Sequence, residues 1–367
     1  MATYIAFCTN AVVFHQNQIL DQECTKKYPG SEWIYFLYVF AKEKGIEVVT
    51  GDVALMNVYS KKWSPTEILI IQEEMSTHGD QLIKIGAKPF LLFCLESPVY
   101  AREFYSKLFG LSKSFKNRIL FRGIFEKTAL IGLNHIAYFP SFSESNQRKN
   151  SEWKDRKFLV MVAANKYWKI IRPFHRQVAS WIRDLILQKK SHLTPELIAQ
   201  QLHDKRLELI EYFGKSGDLD LFGGGWGNLS NLPRPWPKKL KSIIDKLDPK
   251  KCNDKLEVIS NYKFAICFEN MSFPGYVTEK IIDCFSAGVI PIYLGAPDIS
   301  EFVPKNLYID LRDFQNPNEL SIYIKSLSNE KALRMISAGH AFLESSEGKK
   351  FSFENLAKNV LMLAENM

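Results

Sequence analysis

The chain has 367 residues, about twice a usual single domain, so two domains are expected. Apolar residues make up 46% and charged residues 24%, an ordinary globular balance that can bury sizeable cores. The net charge of +8 attracts anions, but the densest basic clusters (Lys154–Lys157 and Pro237–Lys255) are short and broken by acids, which argues against nucleic acid as a partner.

Tyr4–Cys8 reads as a first β-strand and not as a signal peptide, since no basic leader or cleavage pattern accompanies it. Glu32–Lys44 places apolar residues at helical spacing, and Glu47–Val49 is a second short strand. A helix over Gln72–Ile85 and a strand over Pro89–Cys94 extend a β-α-β-α-β pattern, which predicts a parallel sheet covered by helices. The polar stretch Tyr138–Trp153 is the best linker candidate. Beyond it the alternation resumes with a strand at Phe158–Ala163, a helix at Phe174–Leu187 and a strand at Leu219–Phe222 that runs into glycines. A basic helix near 237–247 precedes strand Phe264–Phe268, helix Thr278–Ala287 and strand Val289–Leu294. Asn318–Leu327, Lys331–Ala338 and Phe353–Ala364 look helical.

The expected class is therefore α/β, with two Rossmann-like domains facing across a cleft. Residues 1–150 form the first, 151–350 the second, and 351–367 a helix that packs back on the first. Ligands of such sheets bind beyond the carboxyl ends of the strands, so functional residues should lie just after strands. The six cysteines are far apart with no C-x-x-C pair, and the seven histidines lack metal-ligand spacing. No apolar run approaches the roughly 20 residues of a membrane-spanning helix. A cytoplasmic, reduced chain without a metal site is expected, with at most peripheral membrane contact.

Phe264–Gly295 carries the densest chemistry. The apolar run Phe264–Phe268 suits a buried central strand, and Glu269 and Asn270 follow at its carboxyl end. Ser272, Pro274 and Gly275 break the chain into a loop. Thr278 is then a natural N-cap whose hydroxyl can accept a backbone N–H of the next turn, and Gly288 suits the left-handed position after the helix. A helix start exposes N–H donors that favour phosphate, and Lys280 adds a charge there. Glu279 either complements the helix dipole or accepts hydrogen bonds from ribose or sugar hydroxyls.

FAICFEN, GYVTEK, DCFSAGVIPIYLGAP and FVPKNLYIDLRDF together resemble the C-terminal signature of the α-1,3/1,4-fucosyltransferases, glycosyltransferase family 10. The resemblance runs from Tyr262 to Phe314. It implies a two-domain fold of the glycosyltransferase B type, GDP-fucose held by the second domain, and inversion at the anomeric carbon with no cofactor or metal required. It also implies that Asn270, Tyr276, Glu279 and Lys280 contact the donor. FLVMVAANKYWKIIRPFHRQVASWI is similar to the family's strand–loop–Arg–helix segment, which makes Arg176 the candidate for the donor diphosphate, with Arg172 as its competitor. An Arg fork suits a diphosphate through paired, charge-assisted hydrogen bonds.

Sugar transfer from a diphosphate needs a base for the acceptor hydroxyl. The strand Pro89–Cys94 ends in LESP, which places Glu96 just beyond its carboxyl end. A Glu there is ordinarily just solvated, but in the resembling family an ESP tripeptide carries the proposed general base, so Glu96 is the candidate catalytic residue.

Other signals are weaker. Asp218-Leu-Asp220 matches the D-x-D of metal-dependent glycosyltransferases but reads better as a strand entrance. Gly223–Gly227 lacks the P-loop pattern and reads as a tight turn, with Trp226 beside the guanine as the lesser alternative. His135 and His175 are better placed structurally than as acid–base groups.

The expected activity is inverting transfer of L-fucose from GDP-fucose to an oligosaccharide or glycan acceptor, by an α-1,3 linkage to GlcNAc in a Gal-GlcNAc unit. Alternatives are another nucleotide-sugar on the same fold, or a nucleotide-sugar-binding protein without turnover.

Overall fold

The computed structural model describes residues 4–28, 30–101, 103–105, 107–108, 114–120, 134–136, 141–144, 152–166, 200–230 and 232–366. The chain divides into two compact units. One comprises Met1–Glu96, Glu103–Ser145 and Gly348–Met367, and the other Ser97–Arg102 and Asn146–Glu347.

The first unit is built on a six-stranded parallel sheet. Its strands are β1 (Tyr4–Cys8), β2 (Glu47–Thr50), β3 (Ile68–Glu73), β4 (Lys88–Phe93), β5 (Asn117–Ile119) and β6 (Asn134–Ile136), in the order β2-β1-β3-β4-β5-β6. Buried residues at Ile5–Cys8, Ile68–Ile71 and Phe90–Phe93 form near-continuous apolar runs, as central strands covered on both faces require. Helices α1 (Glu32–Glu43), α2 (Gly51–Tyr59) and α3 (Thr77–Lys84) follow β1, β2 and β3 respectively.

One expected helix is corrected here. The stretch Gln72–Ile85 is not all helical: Gln72 and Glu73 end strand β3, and the helix starts at Thr77 behind a Ser76 cap that accepts from Gly79 N. The polar Gln72 masks the strand in the sequence, yet it is fully buried and donates to the Glu74 carbonyl at 3.2 Å. Helix α2 was not anticipated. Its β2 leads into it with no intervening loop.

The second unit holds a five-stranded parallel sheet of β7 (Lys157–Val162), β8 (Leu219–Phe222), β9 (Tyr262–Ile266), β10 (Ile290–Tyr293) and β11 (Ile309–Asp310), ordered β11-β10-β9-β7-β8. Leu159 pairs in register with Phe264, and Ile266 with Ile292, so the three central strands share one apolar layer. Among the described residues its helices include α4 (His203–Ser216), α5 (Trp236–Leu247), α6 (Lys255–Ile259), α7 (Glu279–Ser286), α8 (Pro317–Ser326) and α9 (Asn329–Glu344). Gly288 adopts φ +59° just after α7, the left-handed conformation glycine permits.

The final helix, α10 (Phe353–Glu365), belongs to the first unit and packs on α1. Lys44 pairs with Glu365 at 3.2 Å, and Phe142 forms a parallel bridge with Ser352. No helix among the described residues is long and apolar enough to cross a membrane. The expected helix at Phe174–Leu187 lies outside the described residues, as do Arg172, His175 and Arg176.

Candidate functional site

Strand β9 ends at Ile266 in the middle of its sheet, and the chain then runs through Cys267–Val277 into α7. This loop is not loose. Met271, Phe273, Tyr276 and Val277 are all buried, and Ser272 N donates to Gln200 O at 2.7 Å while Leu202 N donates to Asn270 O at 3.1 Å. Apolar side chains and backbone pairing thus fix this loop within the unit.

Glu269 lies at the centre, with no exposure to solvent. Its carboxylate accepts from Thr278 N at 2.8 Å and from the Thr278 hydroxyl at 2.7 Å. Lys280 Nζ stands 3.2 Å from the same carboxylate and donates to Thr278 Oγ1 at 2.9 Å. The expected capping bond is therefore corrected. Thr278 occupies the N-cap of α7, but its hydroxyl makes no capping bond and is turned onto Glu269. A buried carboxylate needs donors more than a helix start, open to solvent or ligand, needs a cap.

Asn270, Tyr276, Glu279 and Lys280 are brought together in two directly touching pairs. Asn270 Nδ2 donates to the Tyr276 hydroxyl at 3.2 Å, and Lys280 Nζ lies 3.4 Å from Glu279 Oε1. Lys255, from α6, adds a second cation 3.7 Å from Glu279 Oε1 and is anchored on Asp283 at 2.7 Å. Desolvation opposes ionisation of Glu279, but Lys280 and Lys255 outweigh it and bring its pKa down to about 2. For Asp283 burial wins over Lys255, with Glu279 adding to it, and the pKa rises to about 6. Lys280 remains charged because Glu269 and Glu279 overcome the cost of its burial.

Arg206, on α4, is the main residue that the sequence reading missed. It is 7% exposed, and its Nη2 donates to Phe268 O at 2.6 Å, to Glu269 O at 2.8 Å and to Asn270 Oδ1 at 3.2 Å. One guanidinium nitrogen thus gathers the strand end and orients the Asn270 amide. A signal was available, since Arg206, Ile210 and Phe213 share the buried face of one helix. A charge on an apolar stripe calls for a partner. Three residues earlier, His203 Nε2 shares a 2.8 Å hydrogen bond with the Tyr100 hydroxyl. Burial, with Arg206, Lys166 and Lys280 adding repulsion, lowers the His203 pKa to about 3, so it is neutral. These three cations converge near the carboxyl ends of β7 and β9.

The glycine cluster after β8 packs against the loop after β7. Asn165 N donates to Gly224 O at 2.8 Å, and Trp226 Nε1 donates to Ala163 O at 2.8 Å. Trp226 is 5% exposed within the core, so the alternative that set it beside a base is corrected. Asp218 binds Lys325 at 2.7 Å, while Asp220 binds Lys157 at 2.9 Å and the Tyr262 hydroxyl at 2.6 Å, which fits the strand-entrance reading of D-L-D.

In the first unit Glu96 is exposed three residues beyond β4, and its carbonyl accepts from the Tyr105 hydroxyl at 3.0 Å. Nearby, the Cys94 thiol donates to Glu74 Oε1 at 3.3 Å. Burial first and then the Glu96 charge raise the pKa of Glu74.

The family model "Glycosyltransferase family 10 (fucosyltransferase) C-term" matches residues 187–335, which include Arg206 and the whole β9–α7 loop. An alpha-(1,3)-fucosyltransferase of Helicobacter pylori is 40% identical over 105 residues, 28% of this chain and 22% of that protein. An alpha-(1,4)-fucosyltransferase of Arabidopsis thaliana is 39% identical over 72 residues, 20% of this chain and 18% of that protein. The matched stretches thus span only about a fifth of these relatives' length. At the level of fold, Anabaena Alr3699/HepE in complex with UDP and glucose has a TM-score of 0.55 at 10% identity, covering 100% of both chains. Two parallel α/β units of this kind are the glycosyltransferase B type. Residues 187–335 thus match the C-terminal domain of glycosyltransferase family 10, the fucosyltransferases, and the relatives aligned with that part of the chain carry fucosyltransferase names.

Proposed function

We propose that this chain transfers L-fucose from GDP-fucose to a sugar hydroxyl with inversion, forming an α-1,3 linkage to GlcNAc in a Gal-GlcNAc type glycan. The observation that carries the reading is the β9–α7 loop. There, Asn270, Tyr276, Glu279 and Lys280 are held by a buried carboxylate and by Arg206 at the start of a helix, within the segment the family shares.

In this mechanism the acceptor oxygen attacks the anomeric carbon and its proton passes to Glu96. The bond from that carbon to the β-phosphate oxygen breaks, and its electron pair leaves with GDP. Lys280, Lys166 and Arg206 supply positive potential for the leaving diphosphate, as does Arg176, with Arg172 as the alternative. Asn270, Tyr276 and Glu279 accept or donate hydrogen bonds to donor hydroxyls. No metal is required in this scheme, and the D-L-D acids, each bound to a lysine, fit it. The site is proposed to work in the cytoplasm, on a glycan acceptor.

The test is transfer and donor hydrolysis with a panel of nucleotide-sugars, with and without EDTA. Activity with GDP-fucose that survives EDTA is expected. Activity with a UDP-sugar alone, or complete loss in EDTA, would sink the proposal, and donor binding without turnover would favour a non-catalytic binder.

A further inference from the structure

Lys255 has no place in the site as read from the sequence. It lies on α6, a five-residue helix whose Asp254 cap accepts from Glu257 N at 3.0 Å, and it reaches across to α7. Its ammonium takes a 2.7 Å bond with Asp283 Oδ2 and stands 3.7 Å from Glu279 Oε1. Asp283 lies four residues beyond Glu279, one helical turn along the same face, and its side chain is only 12% exposed. Glu279 is the open member of the group, with 40% of its side chain exposed.

The two lysines near Glu279 approach the same oxygen, and neither makes its shortest contact there. Lys280 is closer to Thr278 Oγ1, at 2.9 Å, and to Glu269, at 3.2 Å, than to Glu279, at 3.4 Å. Lys255 is a full ångström closer to Asp283 than to Glu279. At 3.4 and 3.7 Å they act on Glu279 chiefly as charges, since a strong N–H···O bond is about 2.7–3.2 Å. The carboxylate is thus flanked by two cations while 40% of its side-chain surface stays open to a ligand. A first-turn acid that merely complemented the helix dipole would need no such pair of cations.

We infer that Lys255 is a positioning residue for Glu279: anchored on Asp283, it holds the Glu279 carboxylate by charge so that it accepts hydroxyls of the nucleotide-sugar. The low pKa of Glu279, to which Lys255 contributes, agrees with this. The inference rests on the proposed donor role of Glu279. The hydroxyls could be those of the ribose or of the transferred sugar, and both present the same chemistry.

The experiment measures donor KM and kcat, and the Kd of GDP and of GDP-fucose by calorimetry. The variants are Glu279→Gln, Lys255→Arg and the double variant Lys255→Met/Asp283→Asn. The double variant removes the buried pair as a unit, which avoids leaving one charge unpaired. Glu279→Gln should raise the donor KM about tenfold or more, the range for hydrogen bonds to charged groups. The double variant should raise it about three- to tenfold with kcat little changed, whereas Lys255→Arg, which keeps the charge, should leave it within about twofold of the wild type. Weakened binding of GDP-fucose alone points to the sugar hydroxyls, and weakened binding of both ligands points to the ribose. A folded double variant with wild-type donor KM, beside an impaired Glu279→Gln, overturns the role of Lys255 alone. An unimpaired Glu279→Gln overturns the donor role of Glu279 and the inference with it. A wild-type chain that binds neither GDP nor GDP-fucose overturns the proposed function as well.

Discussion

The Lys280 ammonium lies 3.2 Å from Glu269, a carboxylate with no exposure to solvent, and both hold the same Thr278 hydroxyl. The cation at the start of α7 therefore comes with an internal counter-charge, and the loop before α7 is tied to that carboxylate. Replacing Glu269 by Gln leaves Lys280 without its buried partner and removes an acceptor from Thr278. Broken buried ion pairs cost about 3–5 kcal/mol. Urea unfolding of Glu269→Gln should show a loss of that order, with weaker GDP binding in the fraction that folds. A loss below about 1 kcal/mol would show that this pair does not organise the loop.

Among the described residues the Glu96 carboxylate has no hydrogen bond or ion pair, and only its backbone carbonyl accepts, from the Cys94 thiol and the Tyr105 hydroxyl. Glu96→Gln should accordingly fold with wild-type stability and bind GDP-fucose with unchanged affinity. Loss of a general base costs about 10²–10⁴ in rate, so kcat should fall by at least about a hundredfold. Single-turnover transfer assays decide the matter, and undiminished turnover removes Glu96 from the mechanism.

Two adjacent glycines in the loop after β8 should respond to alanine very unequally. Gly223 has φ +125°, and an added Cβ would stand 2.2 Å from the Ala163 carbonyl oxygen, whereas nothing lies within 4 Å of one at Gly224. Gly223→Ala should cost about 2–4 kcal/mol through backbone strain and collision with main chain. Gly224→Ala should change stability by less than about 0.5 kcal/mol. Thermal unfolding of the two variants side by side tests this, and equal losses would contradict the loop packing.

Asp283 and Glu279, one turn apart, pull stability in opposite directions with pH. The Asp283 pKa is raised in the folded chain from 3.8 to about 6, so between these values the folded state binds more protons than the unfolded state. Stability from this group therefore rises as pH falls through about 6. The Glu279 pKa is lowered from 4.5 to about 2, so its contribution is present above 4.5 and lost as pH falls toward 2. Relative to Asp283→Asn, the wild type should be more favoured at pH near 5 than at pH near 7 (roughly one unit either side of that titration). Denaturant melts at the two pH values would refute the assignment if the difference ran the other way.

Much of the second unit was legible because its strands are short apolar runs bounded by turn residues. Leu219–Phe222 and the strand that precedes the Glu269 loop are of this kind. Asn270, Tyr276, Glu279 and Lys280 were singled out because they fall in an eleven-residue span that begins four positions after β9, where ligands of parallel sheets bind, and because that span resembles the family signature. Strand β3 was obscured by the buried polar Gln72, whose amide nitrogen donates to a backbone carbonyl two residues on while its Oε1 has no hydrogen-bond partner among the described residues. Helix α2 starts where β2 ends, with no turn signal between them.

By itself the sequence determined the alternation of strands and helices, the two α/β units and the segment that carries the shared signature, because hydrophobic period and loop chemistry are local properties. Only the tertiary structure decided which charge answers which. Arg206 meets Asn270 across 64 positions, Lys255 meets Asp283 from another helix, and Thr278 turns from its own helix to Glu269. Those pairings follow from the cost of burying an unpartnered polar group, and a cost of that kind depends on what the fold brings near, not on what the chain places next.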